Sequence, residues 1–289
     1  MKILRNIKLK TPSNFDFLLD LYYVENYKPK PIIIFSHGFK GFKDWGCWDL
    51  IAKTFAKNGY IFIKYNFSHN GTTINNPMDF DNLEAFGKNT YSLELEDLET
   101  VINWITKDDN GVSKTEKNTN KICLIGHSRG GGTSIIKSGH NKNISALVTW
   151  ASVGELDYSM KNNHTINKWI KDGVIYVYNG RTKQNMPLYI SLYDDYQANL
   201  DNYNTLHTLN NLEIPMCIIH GTDDMAVPSE TTNLIRHAKK DAEVNLIKEA
   251  NHVFGGSHPY TMNILPKHSI QLINHTLVFL EKYFGSDFE

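Results

Sequence analysis

Cysteine is scarce in this chain: Cys47, Cys123 and Cys217 are the only three among 289 residues. Three cysteines with no two close together exclude a disulfide framework and a thiolate metal cage. Cys123 and Cys217 sit inside apolar, strand-like runs and read as buried free thiols. An excess of either charge is also missing. With 30 basic against 31 acidic residues, there is no electrostatic ground for binding nucleic acid or an anionic membrane. No apolar run is long enough to span a bilayer, and Met1 to Asn6 lacks the apolar core and small-residue cleavage site of a signal peptide. A cytoplasmic location is therefore expected. The 12 histidines are scattered, with neither H-x-E nor H-E-x-x-H among them, so no metal is expected. The glycines form no G-x-G-x-x-G and precede no P-loop lysine, so no nucleotide is implied.

What the sequence does have is a regular alternation of elements. Ile3 to Leu9 and Phe15 to Val24 alternate apolar and polar residues, as half-buried strands do. Pro31-Ile32-Ile33-Ile34-Phe35 is apolar throughout, as befits a strand covered on both faces. A helix is expected from Trp48 to Asn58, a strand from Tyr60 to Tyr65, and an amphipathic helix from Tyr91 to Thr106. Further strands are expected before Ser128, at Ile144–Trp150, at Pro215–Ile219 and at Val244–Lys248, with a terminal helix over Leu265–Tyr283. Alternation of this kind specifies an α/β protein, with a mostly parallel sheet and helices on both faces. The stretch between Trp150 and Pro215 is too long for a single crossover helix. Within it, Val174 to Tyr178 runs into Asn179-Gly180, a two-residue hairpin signal, and Thr165–Lys171 and Tyr193–Asn210 look helical. This stretch reads as a cap or lid over the carboxyl edge of the sheet, or else as an elaborated crossover with no part in binding.

The chemistry centres on Gly126-His127-Ser128-Arg129-Gly130, a G-x-S-x-G with an apolar strand before it and a helix-like segment after it. A serine hydroxyl becomes a useful nucleophile only when a base, an orienting carboxylate and oxyanion donors surround it. The base should follow the last strand, where His252 lies; His258 is the nearest competitor, and His268 and His275 fall in the terminal helix. The carboxylate should follow the preceding strand, where Asp223 and Asp224 compete. The backbone N–H groups of Arg129 and of Phe39, after His37-Gly38, are the natural oxyanion donors, with His37 bracing that loop.

Together these residues resemble the α/β-hydrolase family. His220-Gly221-x-x-Asp224-x-x-Val227-Pro228, Ala250-Asn251-His252-x-Phe254 and His37-Gly38-Phe39-Lys40-Gly41 are similar to the serine-aminopeptidase-like and feruloyl (cinnamoyl) esterase-like branch. The resemblance selects Asp224 over Asp223. It implies an eight-stranded, mostly parallel sheet in a single domain over residues 1–289, with residues 154–212 inserted as a small cap containing a β-hairpin. It also implies a Ser128–His252–Asp224 triad that cleaves small-molecule carboxylic esters, of aromatic (feruloyl- or cinnamoyl-type) or short-chain acyl groups, through an acyl-enzyme and without a cofactor. An aminopeptidase or acylpeptidase is the alternative within the fold, and a non-catalytic ligand-binding protein the alternative outside enzymes. The aromatics of the inserted stretch, Trp169, Tyr176 and Tyr189 with Tyr158 nearby, together with His37, are the candidate substrate contacts; the aromatics would equally serve to pack the cap. The oligomeric state is open, with a homodimer as one expectation.

Overall fold

The computed structural model describes residues 1–157 and 160–285. Tyr158, one of the aromatics singled out above, lies outside the described residues. The chain opens with an antiparallel pair, β1 (Lys2–Lys10) and β2 (Asp16–Tyr23). The core strands follow: β3 (Lys30–Ser36), β4 (Ile61–Tyr65), β5 (Lys117–His127), β6 (Ile144–Trp150), β9 (Met216–Gly221) and β10 (Glu243–Ile247). They join one eight-stranded sheet in the order β1-β2-β4-β3-β5-β6-β9-β10, parallel from β4 onward. All eight strands expected from the sequence are present.

Strand periodicity sorts the core into two layers. On β3, Ile32 and Ile34 point into one cluster, and Ile33 and Phe35 into the other. The first layer is closed by α3 (Tyr91–Thr106) through Leu98, Ile102 and Ile105, and by α4 (Arg129–His140), α7 (Thr205–Asn210) and α8 (Thr231–Ala238). The second is closed by α1 (Trp48–Lys57) and by α9 (Lys267–Phe284), whose Leu272, Phe279 and Leu280 meet Phe35, Phe55 and Trp150. Because both faces are covered, the central strands can be apolar at every position.

The segment between β6 and β9 holds α5 (Asn163–Asp172), the antiparallel pair β7 (Val174–Asn179) and β8 (Gln184–Tyr189), α6 (Ser191–Ala198), and then α7. The hairpin is real, but its turn differs from the sequence expectation. Asn179 pairs with Gln184, so the loop is Gly180 to Lys183. A two-residue type I′ turn needs positive φ at both central residues. Here the left-handed position is Lys183, at φ 56°, and neither Asn179 nor Gly180 adopts it. The Asn179 side chain instead accepts the Arg181 N–H at 3.2 Å, and this Asx-type bond closes the turn. The helical stretch expected over 193–210 is two short helices, α6 and α7, and α2 (Leu83–Gly87) has no signal in the sequence. The hairpin rests on α2: the Tyr189 hydroxyl donates to Glu84, and the Gln184 amide donates to Phe80 O at 3.1 Å. Among the described residues, no helix is long and apolar enough to cross a membrane.

Candidate active site

Ser128 sits between β5 and α4 at φ 56° and ψ −121°, a positive-φ conformation that side-chain-bearing residues rarely adopt. Its backbone is engaged on both sides. The amide donates to Trp150 O at 3.0 Å, and the carbonyl accepts from Gly131 N at 3.0 Å and Val153 N at 3.2 Å. The Ser128 N–H is therefore spent on the sheet, and the next amide is that of Arg129, at the first turn of α4. The tight turn depends on Gly126 and Gly130. A Cβ at Gly126 would lie 2.3 Å from Gly130 O, and one at Gly130 would lie 2.4 Å from Ser36 O.

The loop expected to carry the Phe39 amide leaves β3 at His37. A Gly41 N–H to Gly38 O bond of 3.0 Å folds residues 38–41 into a turn, with Lys40 at φ 57°. The buried His37 ring donates Nδ1–H to Gly38 O at 2.9 Å, while Nε2 accepts from the Phe67 amide at 3.3 Å. Burial pushes its pKa down to about 4, the Gly38 carbonyl only partly opposing this. His37 is thus a neutral brace for the loop. Beyond it, the sheet carries a buried ion cluster that the sequence did not announce. Asp20 on β2 accepts from Lys64 on β4 at 2.9 Å and from Lys43 at 2.8 Å, and Asp44 bonds both lysines. The loop is therefore tied to the sheet at Lys43 and Asp44.

Asp224 and His252 lie on the loops that follow β9 and β10. Asp224 Oδ2 lies 2.7 Å from His252 Nδ1 and 3.1 Å from His220 Nε2. Oδ1 accepts the Ala226 and Val227 amides at 2.8 and 2.9 Å. Burial pushes this carboxyl up, but the bonds from His220, His252 and Val227 outweigh it and hold it well below the usual range. An ionised carboxylate only accepts, so the His252 nitrogen that carries the proton at this contact is Nδ1. Asp223 faces solvent and takes only the Thr222 hydroxyl, at 2.9 Å. His268 and His275 remain on α9, as expected.

His127, the variable residue of the serine motif, was not singled out by the sequence reading, yet it links two of these loops. Its Nε2–H donates to His252 O at 2.9 Å, and its ring centroid lies 4.7 Å from that of His252. Burial, followed by repulsion from His252, pushes its pKa down to about 3. A titratable residue in the x position of G-x-S-x-G was the available signal. The side chain of Arg129 also has a structural task. Its guanidinium lies 4.4 Å from the Phe39 ring centroid and 3.3 Å from Glu94 in a buried pair beneath the oxyanion loop.

Ser128, His252, His37 and Phe39 line one cavity of about 340 Å³ at the carboxyl edge of the sheet, with Trp45 and Trp48 in its wall. The aromatics proposed from sequence as substrate contacts do not line it. Trp169 is fully buried and donates Nε1–H to Leu188 O at 2.8 Å, packing α5 onto β8. Tyr189 is turned to Glu84, and Tyr176 is exposed on the outer face of β7. The hairpin contributes Asn179 and Arg181 to the cavity instead, and His258 joins from beyond His252. Among the described residues, no group of three or more His, Cys, Asp or Glu side chains is arranged to hold a metal ion.

No curated protein sequence matches the chain. Among solved structures, it is similar to the α/β hydrolase GrgF from Penicillium sp. sh18, at 15% identity and a TM-score of 0.72, over 98% of this chain and 99% of that one. It is similar to Est1E from Butyrivibrio proteoclasticus, at 15% identity and a TM-score of 0.68, over 97% of this chain and 99% of that one. Est1E has also been solved with ferulic acid bound. The esterase domain of a Rhodothermus marinus protein shares 14% identity at a TM-score of 0.65, over 99% of this chain and all of that domain (100%). These likenesses establish the fold. The BD-FAE family model matches residues 19–238. With that match spanning most of the chain, the protein belongs to the BD-FAE family, in the esterase-like branch of the α/β hydrolases.

Proposed function

We propose that this protein is a serine hydrolase that cleaves carboxylic esters through an acyl-enzyme. The observation that carries this is the 2.7 Å contact between His252 and Asp224 at a cavity that Ser128 also lines. In the reaction, His252 Nε2 takes the Ser128 proton as the hydroxyl oxygen attacks the ester carbonyl. The oxyanion is held by the amides of Phe39 and Arg129, each of which is worth roughly 100- to 1000-fold in rate by analogy with other oxyanion holes. His252 then protonates the leaving alcohol and activates a water that hydrolyses the acyl-serine. Asp224 keeps the imidazole in the tautomer this cycle requires and stabilises its charged form.

An aromatic or short acyl group fits a wall built from Trp45, Trp48 and Phe39. Likeness to Est1E, which binds ferulic acid, favours the aromatic class. Residues 154–212 serve as the cap, with the β7–β8 turn reaching the cavity. The test is turnover of p-nitrophenyl acetate and of methyl ferulate by wild type and by Ser128→Ala. Loss on the order of a million-fold in kcat is expected for removal of a serine nucleophile, and retained turnover would refute the assignment.

A further inference from the structure

The cavity carries a charge bias that ester hydrolysis alone does not require. Its lining holds no Asp or Glu, yet two cationic side chains reach it, Lys40 from the oxyanion loop and Arg181 from the β7–β8 turn. Arg181 is held in place. Its guanidinium lies 5.6 Å from the ring centroid of Phe42 and 5.5 Å from that of Phe80, both buried, and its backbone N–H is bound by Asn179 Oδ1. A stacked, pre-ordered guanidinium loses less freedom on binding a ligand than a solvated one. The opposing charge is slight: Asp79 approaches only to 4.0 Å and is itself more than half exposed.

Asn179 supplies the second observation. The residue is only 6% exposed and lines the same cavity, and its Nδ2 is a buried donor with no partner among the described residues. An amide flip does not remove the orphan, because the Arg181 N–H requires the oxygen on its side. A buried donor without an acceptor is costly unless a ligand supplies one. His258 adds a third donor. Its Nδ1 accepts the Gly46 N–H at 3.1 Å, so the ring proton is on Nε2.

We infer that the hairpin turn is an oxyanion-acid subsite, in which Arg181 and the Asn179 amide bind a carboxylate carried by the substrate, so that the preferred esters have a free acid group remote from the bond cleaved. This rests on the esterase assignment for the same cavity and narrows its substrate class. Arg181 and Asn179 act here on specificity and leave the chemical step to Ser128 and His252.

Matched esters test it: the p-nitrophenyl monoesters of adipate and suberate against p-nitrophenyl hexanoate and octanoate, equal in chain length and differing in the terminal charge. Wild type should favour the acids by roughly 10- to 100-fold in kcat/KM, the range for a charge-assisted hydrogen bond, expressed mainly in KM. In Arg181→Met that ratio should collapse toward one, Arg181→Lys should restore part of it, and Asn179→Ala should lower it. A ratio near one in wild type, or one that survives in Arg181→Met, overturns the subsite. Calorimetric titration of Ser128→Ala with adipate separates the two claims. Saturable binding that Arg181→Met abolishes supports the subsite even if no ester is turned over. Ester turnover with no charge preference and no adipate binding leaves the esterase standing and removes the subsite.

Discussion

Both oxygens of Asp224 are committed, Oδ1 to two backbone amides and Oδ2 to two imidazoles. An asparagine would fit the same space, yet it could not accept at every one of these positions. If its oxygen stays on the Ala226 and Val227 amides, its NH₂ group meets His252 Nδ1 and forces the ring proton onto Nε2, the nitrogen proposed above as the base. Asp224→Asn should therefore reduce kcat by roughly four orders of magnitude, with little change in KM, while the fold persists. Steady-state kinetics on p-nitrophenyl acetate checks this, and near-normal kcat would show that Asp224 does not set the tautomer. The sequence made this contact legible because each partner lies a few residues beyond the carboxyl end of a strand, Asp224 after β9 and His252 after β10, which leaves little freedom in where the side chains fall. The candidate substrate contacts were not legible in the same way. On a hairpin, alternate residues face opposite sides, and nothing local tells which side meets the cavity. Tyr176 faces outward, while the turn residues Asn179 and Arg181 reach the cavity because the loop runs to Lys183.

At the scale of elements, the β5–α4 junction sets two opposing effects against each other at one position. Gly130 lies inside the first turn of α4 with a helical backbone, so alanine there gains about 1 kcal/mol of helix propensity. Against that, the added methyl would sit 2.4 Å from Ser36 O and 2.5 Å from His37 O, both backbone atoms at the carboxyl end of β3 that cannot rotate away. Overpacking of this kind costs typically 1–3 kcal/mol, so the clash should win. Gly130→Ala should lower the urea midpoint and slow labelling of Ser128 by a fluorophosphonate probe, since relief of the clash moves α4 away from His37. A variant more stable than wild type, labelling at the wild-type rate, would show that this approach is not tight. The strand-turn-helix signature was readable because glycine is needed there for close approach. The α2 helix and the four-residue hairpin loop escaped for a different reason: each is short, and each is fixed mainly by what it packs on, the loop at Phe80 and the helix against Tyr189.

Across the whole molecule, apolar periodicity specified all eight sheet strands, whereas the buried polar groups depend on distant partners and leave no local trace. Asp20, Lys43 and Lys64 meet only after β2, β4 and the oxyanion loop assemble. The same holds for the burial of His37 and His127: their motifs mark the positions, but only the assembled fold buries both rings in neutral form. Their burial makes stability depend on pH with a definite sign. Folded pKa values of about 4 and about 3 stand below the unfolded value near 6.5, so between these limits the unfolded chain binds more protons than the native one. Stability from these two side chains is then fully present above about pH 6.5 and is lost progressively as pH falls toward the folded values. At pH 5 the loss is about 2 kcal/mol for each. Asp224, held below the usual carboxylate range, adds a loss of the same sign at lower pH still. The urea midpoint should therefore decline steadily from pH 7 to pH 4, without the plateau near pH 5 that a protein with only solvated histidines would keep. Replacing His127 by Gln, which retains a donor for the His252 carbonyl but does not titrate, should flatten about half of that decline above pH 5. A wild-type midpoint that stays level over this range would mean that both rings are hydrated and free to take up a proton in the native state.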